Sequence, residues 1–238
     1  MNRTKHFTWA SLATATLFLA GTSGGCSVTQ KAAVEKSSLS SSGFLGPDYA
    51  KLTPGGKDEA SLRYINPTAQ WTQYKKVLVM PVSFWGNEAT KIPLADQQTL
   101  SNFLYASLRE QLGKKFQLAD QPGPGVIVLQ VALTDAEAAT PVLRSVSMLI
   151  PQARVLGTLK YLATGTYPFV GGAQAEAKLS DGATGQLLGA VVDKRVGGGN
   201  IKTAAQWQWG DAENAMTEWA TKLADKLSSW TSGAAPAA

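Results

Sequence analysis

Two apolar runs separated by one helix-patterned segment constrain this chain more than any other feature. Residues 77–80 read "VLVM", and Val126 opens "VIVLQVALTDA". Runs of this length without polar alternation are expected of strands covered on both faces. Between them lies "PLADQQTLSNFLYASLREQLGKKF", in which Leu100, Phe103, Leu104, Leu108 and Leu112 recur at helical spacing. Asp96 is placed to cap this helix and Gly113 to end it. The strand–helix–strand order predicts a right-handed parallel crossover joining strands over 74–82 and 126–135, with Pro81 limiting the first.

The second half supplies a different pattern. In "AQAEAKLS", Ala175, Ala177 and Leu179 fall on one face, and Gln174, Glu176 and Lys178 on the other. "DGATG" turns the chain and "QLLGAVVDKR" returns it, which predicts an antiparallel hairpin over 173–195. Asp181 opens that turn and lacks the alternating carboxylates of a calcium loop. Asp193, Lys194 and Arg195 close the hairpin and read as a solvated edge. A last helix is predicted over 211–230, with Ala212, Met216, Trp219, Ala220, Leu223, Leu227 and Trp230 on one stripe. The expected fold class is therefore α/β: a single domain with a mixed β-sheet, a parallel βαβ part plus the antiparallel hairpin, covered on one face by helices 96–113 and 211–230. Residues 43–67, dense in Gly and Pro, are expected to be irregular, with Tyr64 and Ile65 beginning an edge strand. Residues 137–166 carry no clear pattern, and "PQARVLGTLKYLATG" within them fits either a helix or a sheet-edge loop.

The amino terminus has the layout of a secretory signal. Arg3 and Lys5 precede an apolar stretch over 7–20, too short for an ordinary membrane span, and small residues 21–25 lead into Cys26. Cys26 is the only cysteine, and its place after such a segment is that of a lipidated lipoprotein cysteine. Ser23 stands where an aliphatic residue is usual. Acylation would consume the thiol and hold the protein on a membrane without a spanning helix. The other reading is an ordinary secretory signal leaving a free thiol in a soluble periplasmic or secreted protein. The expected organisation is a signal over 1–25, a polar tether over 26–42, a globular domain over 43–232 and a disordered tail over 233–238.

Removing that signal also removes the only histidine, His6. The remaining chain cannot run Ser-His-Asp or Cys-His chemistry, nor build a zinc site on His or Cys. Without Arg3 and Lys5 the 22 basic residues fall to 20 against 17 acidic ones, a surplus too small and too scattered for nucleic acid. "GGK" at 55–57 lacks the spacing of a phosphate loop, and "PGPG" at 122–125 precedes a strand rather than a helix. Asp135 and Glu137 end a buried strand where α/β crevices form, but no partner residue completes a catalytic pair. Trp207 and Trp209 in "QWQWGD" lie before the helical stripe, as a candidate stacking platform for a glycan or small ligand. No catalytic residue, metal site or cofactor is expected.

In order and wording, "FLGPDYAKLTPGGKDEASLRYINP", "YKKVLVMPVSFW", "AEAKLSDGATGQLLGAVVDKRVGGG" and "WGDAENAMTEWATKLADKL" resemble the uncharacterised bacterial lipoproteins called domain of unknown function 3313. The resemblance covers roughly 43–230. It implies secretion, lipid anchoring at Cys26 and a compact α/β domain, and it carries over no site residues. Ser27 after the cysteine implies the outer membrane. The functional expectation is a non-catalytic lipoprotein on the periplasmic face of that membrane, binding an envelope protein or itself. The alternative is a periplasmic small-ligand or glycan-binding module.

Overall fold

The computed structural model describes residues 29–34, 42–86, 92–139, 170–198 and 208–234, together with Pro236. Among the described residues nine strands form one sheet: β1 (Thr29–Ala32), β2 (Thr53–Pro54), β3 (Leu62–Ile65), β4 (Lys76–Val79), β5 (Ser83–Phe84), β6 (Gln117–Leu118), β7 (Val126–Glu137), β8 (Gly172–Asp181) and β9 (Leu187–Gly197). The order across the sheet is β2-β3-β9-β8-β7-β4-β6, with β1 added to β9 and β5 to β7. Helix α1 (Leu94–Gly113) connects β5 to β6, and α2 (Gly210–Thr231) closes the chain.

The two apolar runs pair as expected. β4 lies parallel to β7 from Lys76 opposite Val126 to Val79 opposite Leu129. The long strands β7, β8 and β9 form an antiparallel meander beside them. The sheet is therefore mixed, and helices complete an α/β domain. Helix α1 starts two residues before Asp96. Pro93 occupies the N-cap at φ −56° with no side-chain cap, so the ring's fixed φ begins the helix, and Asp96 sits in the first turn. A carboxylate there still favours the positive end of the helix dipole.

Part of the segment expected as a tether is a strand. β1 pairs with 194–197 of β9, while β3 pairs with 189–192 along the same edge. Without β1 the second half of β9 would leave a row of backbone donors and acceptors open. The sequence "TQKA" has no strand pattern of its own; the pairing follows from what β9 lacks. The Gly- and Pro-rich stretch is also more ordered than expected. It holds a 3₁₀ turn (Gly46–Lys51) and the short hairpin β2–β3, so β3 carries Tyr64 and Ile65 one strand in from the edge.

The hairpin β8–β9 contains one irregularity that decides which side chains face which way. Ser180 pairs with Leu187, but Leu179 pairs with Gly189, so Leu188 is an extra residue. Its side chain joins the core under the helices, whereas Ala190 and Val192 face the opposite layer. Beyond the bulge, Gly189, Val191, Asp193 and Arg195 therefore point toward the helices.

Both faces are covered. On one, Val77, Val79, Leu129 and Leu133 pack against Leu100, Leu104, Leu108 and Met216 of the helices. On the other, residues 42–52 cross the sheet as a strap, with Leu45 completely buried against Ala190 and Val192. Glu176 of β8 fastens it. Its carboxylate is fully buried and accepts hydrogen bonds from the Tyr49 hydroxyl (2.6 Å) and the Ser42 hydroxyl (2.7 Å). Burial pushes the Glu176 carboxyl above its ordinary value, outweighing the two hydroxyl donors and the nearby Lys178. A raised carboxyl pKa means that the folded state holds this proton more tightly than the unfolded one. Its contribution is complete below the ordinary value of about 4.5 and is lost as pH rises through the raised value. Compared with Glu176→Gln, the parent protein should therefore lose stability as pH rises through that window, as read from urea midpoints at a series of pH values. A pH-independent difference between the two would show that burial does not raise the Glu176 carboxyl.

Candidate functional site

The floor of the helix-side layer is made of residues too small to reach the helix above it. Alternation along β8 brings Ala175 and Ala177 to that side, and the bulge brings Gly189 and Val191 beside them. Helix α2 crosses this patch with Trp219, Leu223 and Trp230 facing down, while α1 adds Leu104 and Leu108. Between the layers remains a half-open, largely apolar cleft of about 140 Å³. That is close to the ~150 Å³ of an engineered apolar cavity that admits benzene, so one ring or one branched side chain fits. The banks differ in charge: Lys222 and Lys226 stand on α2, and Asp58 and Glu59 on the loop before β3. Arg63 of β3 is held by Glu59 at 2.8 Å.

One end of the cleft is closed by a buried ionic cluster. Arg195 is 4% exposed and Asp193 5% exposed. The Arg195 Nε donates to Asp193 Oδ2 at 2.9 Å, and its Nη1 donates to Glu218 Oε1 of α2 at 2.7 Å. Asp193 also accepts from the Trp219 indole N–H (2.8 Å), the Ser61 backbone N–H (2.8 Å) and the Ser61 hydroxyl (2.9 Å). Glu218 accepts from the Thr29 hydroxyl of β1 and from Lys222 at 2.8 Å. Burial pushes the Glu218 carboxyl up, but the Lys222 and Thr29 hydrogen bonds and the Arg195 charge outweigh it and hold it below the ordinary range. One guanidinium thus ties β9, α2, β1 and the turn before β3 together.

These residues correct the expectation of a solvated edge at 193–195. β9 is an inner strand flanked on both sides, so the side chains that the bulge turns inward are covered by α2. Lys194, on the opposite face, bridges Glu137 at 2.8 Å and Asp135 at 3.6 Å. Burial draws its ammonium downward, but those two carboxylates outweigh it and leave it raised. The two acidic residues at the end of β7 therefore hold a lysine.

Asp181 is a turn residue. Its Oδ1 accepts from the Ala183 and Thr184 backbone N–H groups at 2.9 and 2.7 Å, and its Oδ2 accepts from the Tyr74 hydroxyl at 2.7 Å. Burial raises this carboxyl less than those donors lower it. Burial, followed by the Asp181 contact, pushes Tyr74 up to about 12. Trp209 is 4% exposed and packs in the core with Ala212 and Met216, so it has no ring face for a sugar to stack on. Trp207 and Cys26 lie outside the described residues. Among the described residues no cluster of three His, Cys, Asp or Glu is placed to hold a metal ion, and no helix is long and apolar enough to cross a membrane.

Removing one partner of a buried ionic cluster leaves the others uncompensated, at a cost of about 3–5 kcal/mol. Arg195→Ala should lower unfolding stability by about that amount, measured in denaturant, and should expose β1 amides to hydrogen exchange. Unchanged exchange in β1 would show that Arg195 does not hold that strand.

The model of the family described as "Protein of unknown function (DUF3313)" matches residues 40–223. Among curated proteins none matches the chain. Solved structures similar to it include a single-residue variant of the PelC dodecamer from Paraburkholderia phytofirmans (14% identity, 70% of this chain and 94% of that one, TM-score 0.38). A Xanthomonas campestris protein of family DUF330 is similar at 14% identity, over 67% of this chain and 88% of that one, with TM-score 0.38. A putative neuraminyllactose-binding hemagglutinin homolog from Helicobacter pylori is similar at 11% identity, over 68% and 87%, with TM-score 0.29.

Proposed function

The chain belongs to the DUF3313 family of unknown function, and from that premise we propose that it is a lipid-anchored protein of the bacterial envelope that binds a partner through the cleft beneath α2 and catalyses no reaction. The observation that carries the reading is the cleft itself. It is an apolar recess with charged banks, whose closed end is an ion cluster already satisfied by its own members. A catalytic reading needs a nucleophile or an acid–base pair within hydrogen-bond reach of a substrate's reacting atoms. Here the inward-facing ionisable groups Asp193, Arg195 and Glu218 are committed to each other and to Trp219, Ser61 and Thr29. A recess that holds one apolar group is instead the anatomy of a binding hot spot.

The anchor supports an envelope location. Cys26 follows a signal-like segment, and acylation there would place the protein on the periplasmic face of the outer membrane. Thr29 is three residues further on and is fixed in β1, a reach of at most about 11 Å. The domain would then rest close to the bilayer instead of ranging on a long tether. Cys26→Ala should move the protein from the membrane pellet to the soluble fraction; retention in the pellet would refute the anchor.

Binding is tested by in-cell crosslinking of the tagged full-length protein with mass spectrometry of the adducts. We expect discrete adducts that are lost in Ala177→Phe, which fills the cleft floor. Turnover of a small substrate by the purified protein would overturn the non-catalytic reading, and adducts unaffected by filling the cleft would place binding elsewhere.

A further inference from the structure

We propose that one end of the sheet is the surface this chain turns to the bilayer, with Leu94 and Trp85 entering the lipid headgroup region. The inference rests on the acylation of Cys26 proposed above and adds which surface meets the lipid. The observation that carries it is topological. The chain leaves the domain toward Cys26 at the end of the sheet where its two most exposed large apolar side chains stand.

The register fixes that end. Thr29 lies opposite Gly197 on β9, Val196 opposite Gly172 on β8, and Gly172 opposite Glu137 on β7. β1 therefore starts where β7 and β9 finish. β5 runs parallel to β7 with Phe84 opposite Leu133, so Trp85 follows toward the same end. Helix α1 returns the chain to β6, which pairs with the first residues of β4 at the opposite end. Its 20 residues span about 30 Å, which brings its first residue, Leu94, back to the end that holds Thr29. From β1 through β9, β8 and β7 to β5 is about 19 Å across the sheet. Cys26 reaches up to about 11 Å from Thr29. Acyl chains on Cys26 and both side chains can therefore meet one bilayer surface.

Exposure singles out the same two residues. Leu94 is 80% exposed, Trp85 43% and Met80 37%, the large apolar residues exposed among those described. Met80 lies lower, with its N–H bonded to Leu129 in the first half of β7. One exposed leucine is ordinary. Here it shares the anchor's end with a tryptophan, the side chain favoured at headgroup level. Trp85 meets Phe44 in a T-shaped pair with ring centres 5.5 Å apart, and its indole N–H donates to the Ser83 hydroxyl at 2.9 Å. The contact is apolar insertion and not attraction to anionic headgroups. Lys194, near this end, is committed to Glu137 and Asp135, and Asp96 projects about 200° round α1 from Leu94. Two side chains are too few to hold a protein on a membrane alone. An anchor three residues from the fold makes their encounter with lipid intramolecular, so they suffice to orient a domain already held there.

The test uses the acylated full-length protein in phosphatidylcholine vesicles, with and without phosphatidylglycerol. Because acylation consumes Cys26, the chain's only cysteine, one introduced cysteine takes a single fluorophore. Labels at Leu94→Cys and at Trp85→Cys should lose emission to nitroxide-bearing lipid, equally in both vesicle types. A label at Gln121→Cys, exposed in the loop before β7 at the opposite end, should keep its emission. Adding Leu94→Asp should restore the emission of the Trp85→Cys label while the protein stays in the vesicles. An acylated protein whose Leu94→Cys label is as unquenched as the Gln121→Cys label would overturn this orientation and leave the anchor standing. Quenching that needs phosphatidylglycerol would overturn apolar insertion. Protection of the Leu94→Cys label from a water-soluble quencher in isolated outer membranes, without quenching by vesicle lipid, would assign the surface to a protein instead. A purified chain whose mass shows no acyl group would remove the anchor and this orientation together.

Discussion

Arg195 makes the contacts on which the rest of the architecture depends. A guanidinium with 4% exposure must find acceptors for its donors or destabilise the fold. It finds them in Asp193 on its own strand and Glu218 on α2. Those two carboxylates have lone pairs to spare, and they recruit Ser61, Trp219, Lys222 and Thr29. The result is a polar clamp at one end of the helix–sheet interface. It sets where α2 lies and seats β1 and the turn before β3 against β9. Ion pairs of this kind contribute little net stability over apolar packing, but they allow few alternative arrangements.

The cleft follows from that placement together with the composition of the floor. Helix and sheet layers normally interdigitate to crystal-like density. Here Ala175, Ala177, Gly189 and Val191 lie below α2, and the clamp fixes the helix at one end. At the other end Trp230 packs against Trp71 as a tilted pair with ring centres 4.9 Å apart. Held at both ends, the helix does not settle into the shallow middle, and a recess persists. The opposite face of the sheet shows the contrary solution. There the strap carries Leu45, Phe44 and Leu52 onto β9, and the buried Glu176 bonds to it.

Much of this was legible in the residues, and the parts that were not share a cause. The parallel pairing of β4 with β7, helix α1, the β8–β9 hairpin and the α2 stripe each rest on a periodicity within one segment. The same alternation correctly separated Ala175 and Ala177 from Glu176. What stayed hidden depends on partners distant in sequence. The bulge at Leu188 reverses the facing of the residues after it, and only the register with β8 reveals it. Asp193 and Arg195 look like a solvated strand end until Glu218, Ser61 and Thr29 are brought to them. β1 has no strand pattern, and its pairing answers an open edge. Trp209, read as a platform because it precedes the helical stripe, is drawn into the core at the start of α2.

An accessible apolar recess between α2 and the sheet is the feature on which the functional reading turns. Titration of methyl-labelled protein with benzene, followed by NMR, tests it most directly, because benzene matches the recess in size and demands no knowledge of the natural occupant. We expect saturable shifts at Leu104, Leu108, Leu129, Val131 and Leu223, with Leu45 and Leu62 on the opposite face unmoved. Absence of shifts at the first group, or equal shifts in both, would show that the helix closes onto the floor in solution and would contradict a binding cleft there.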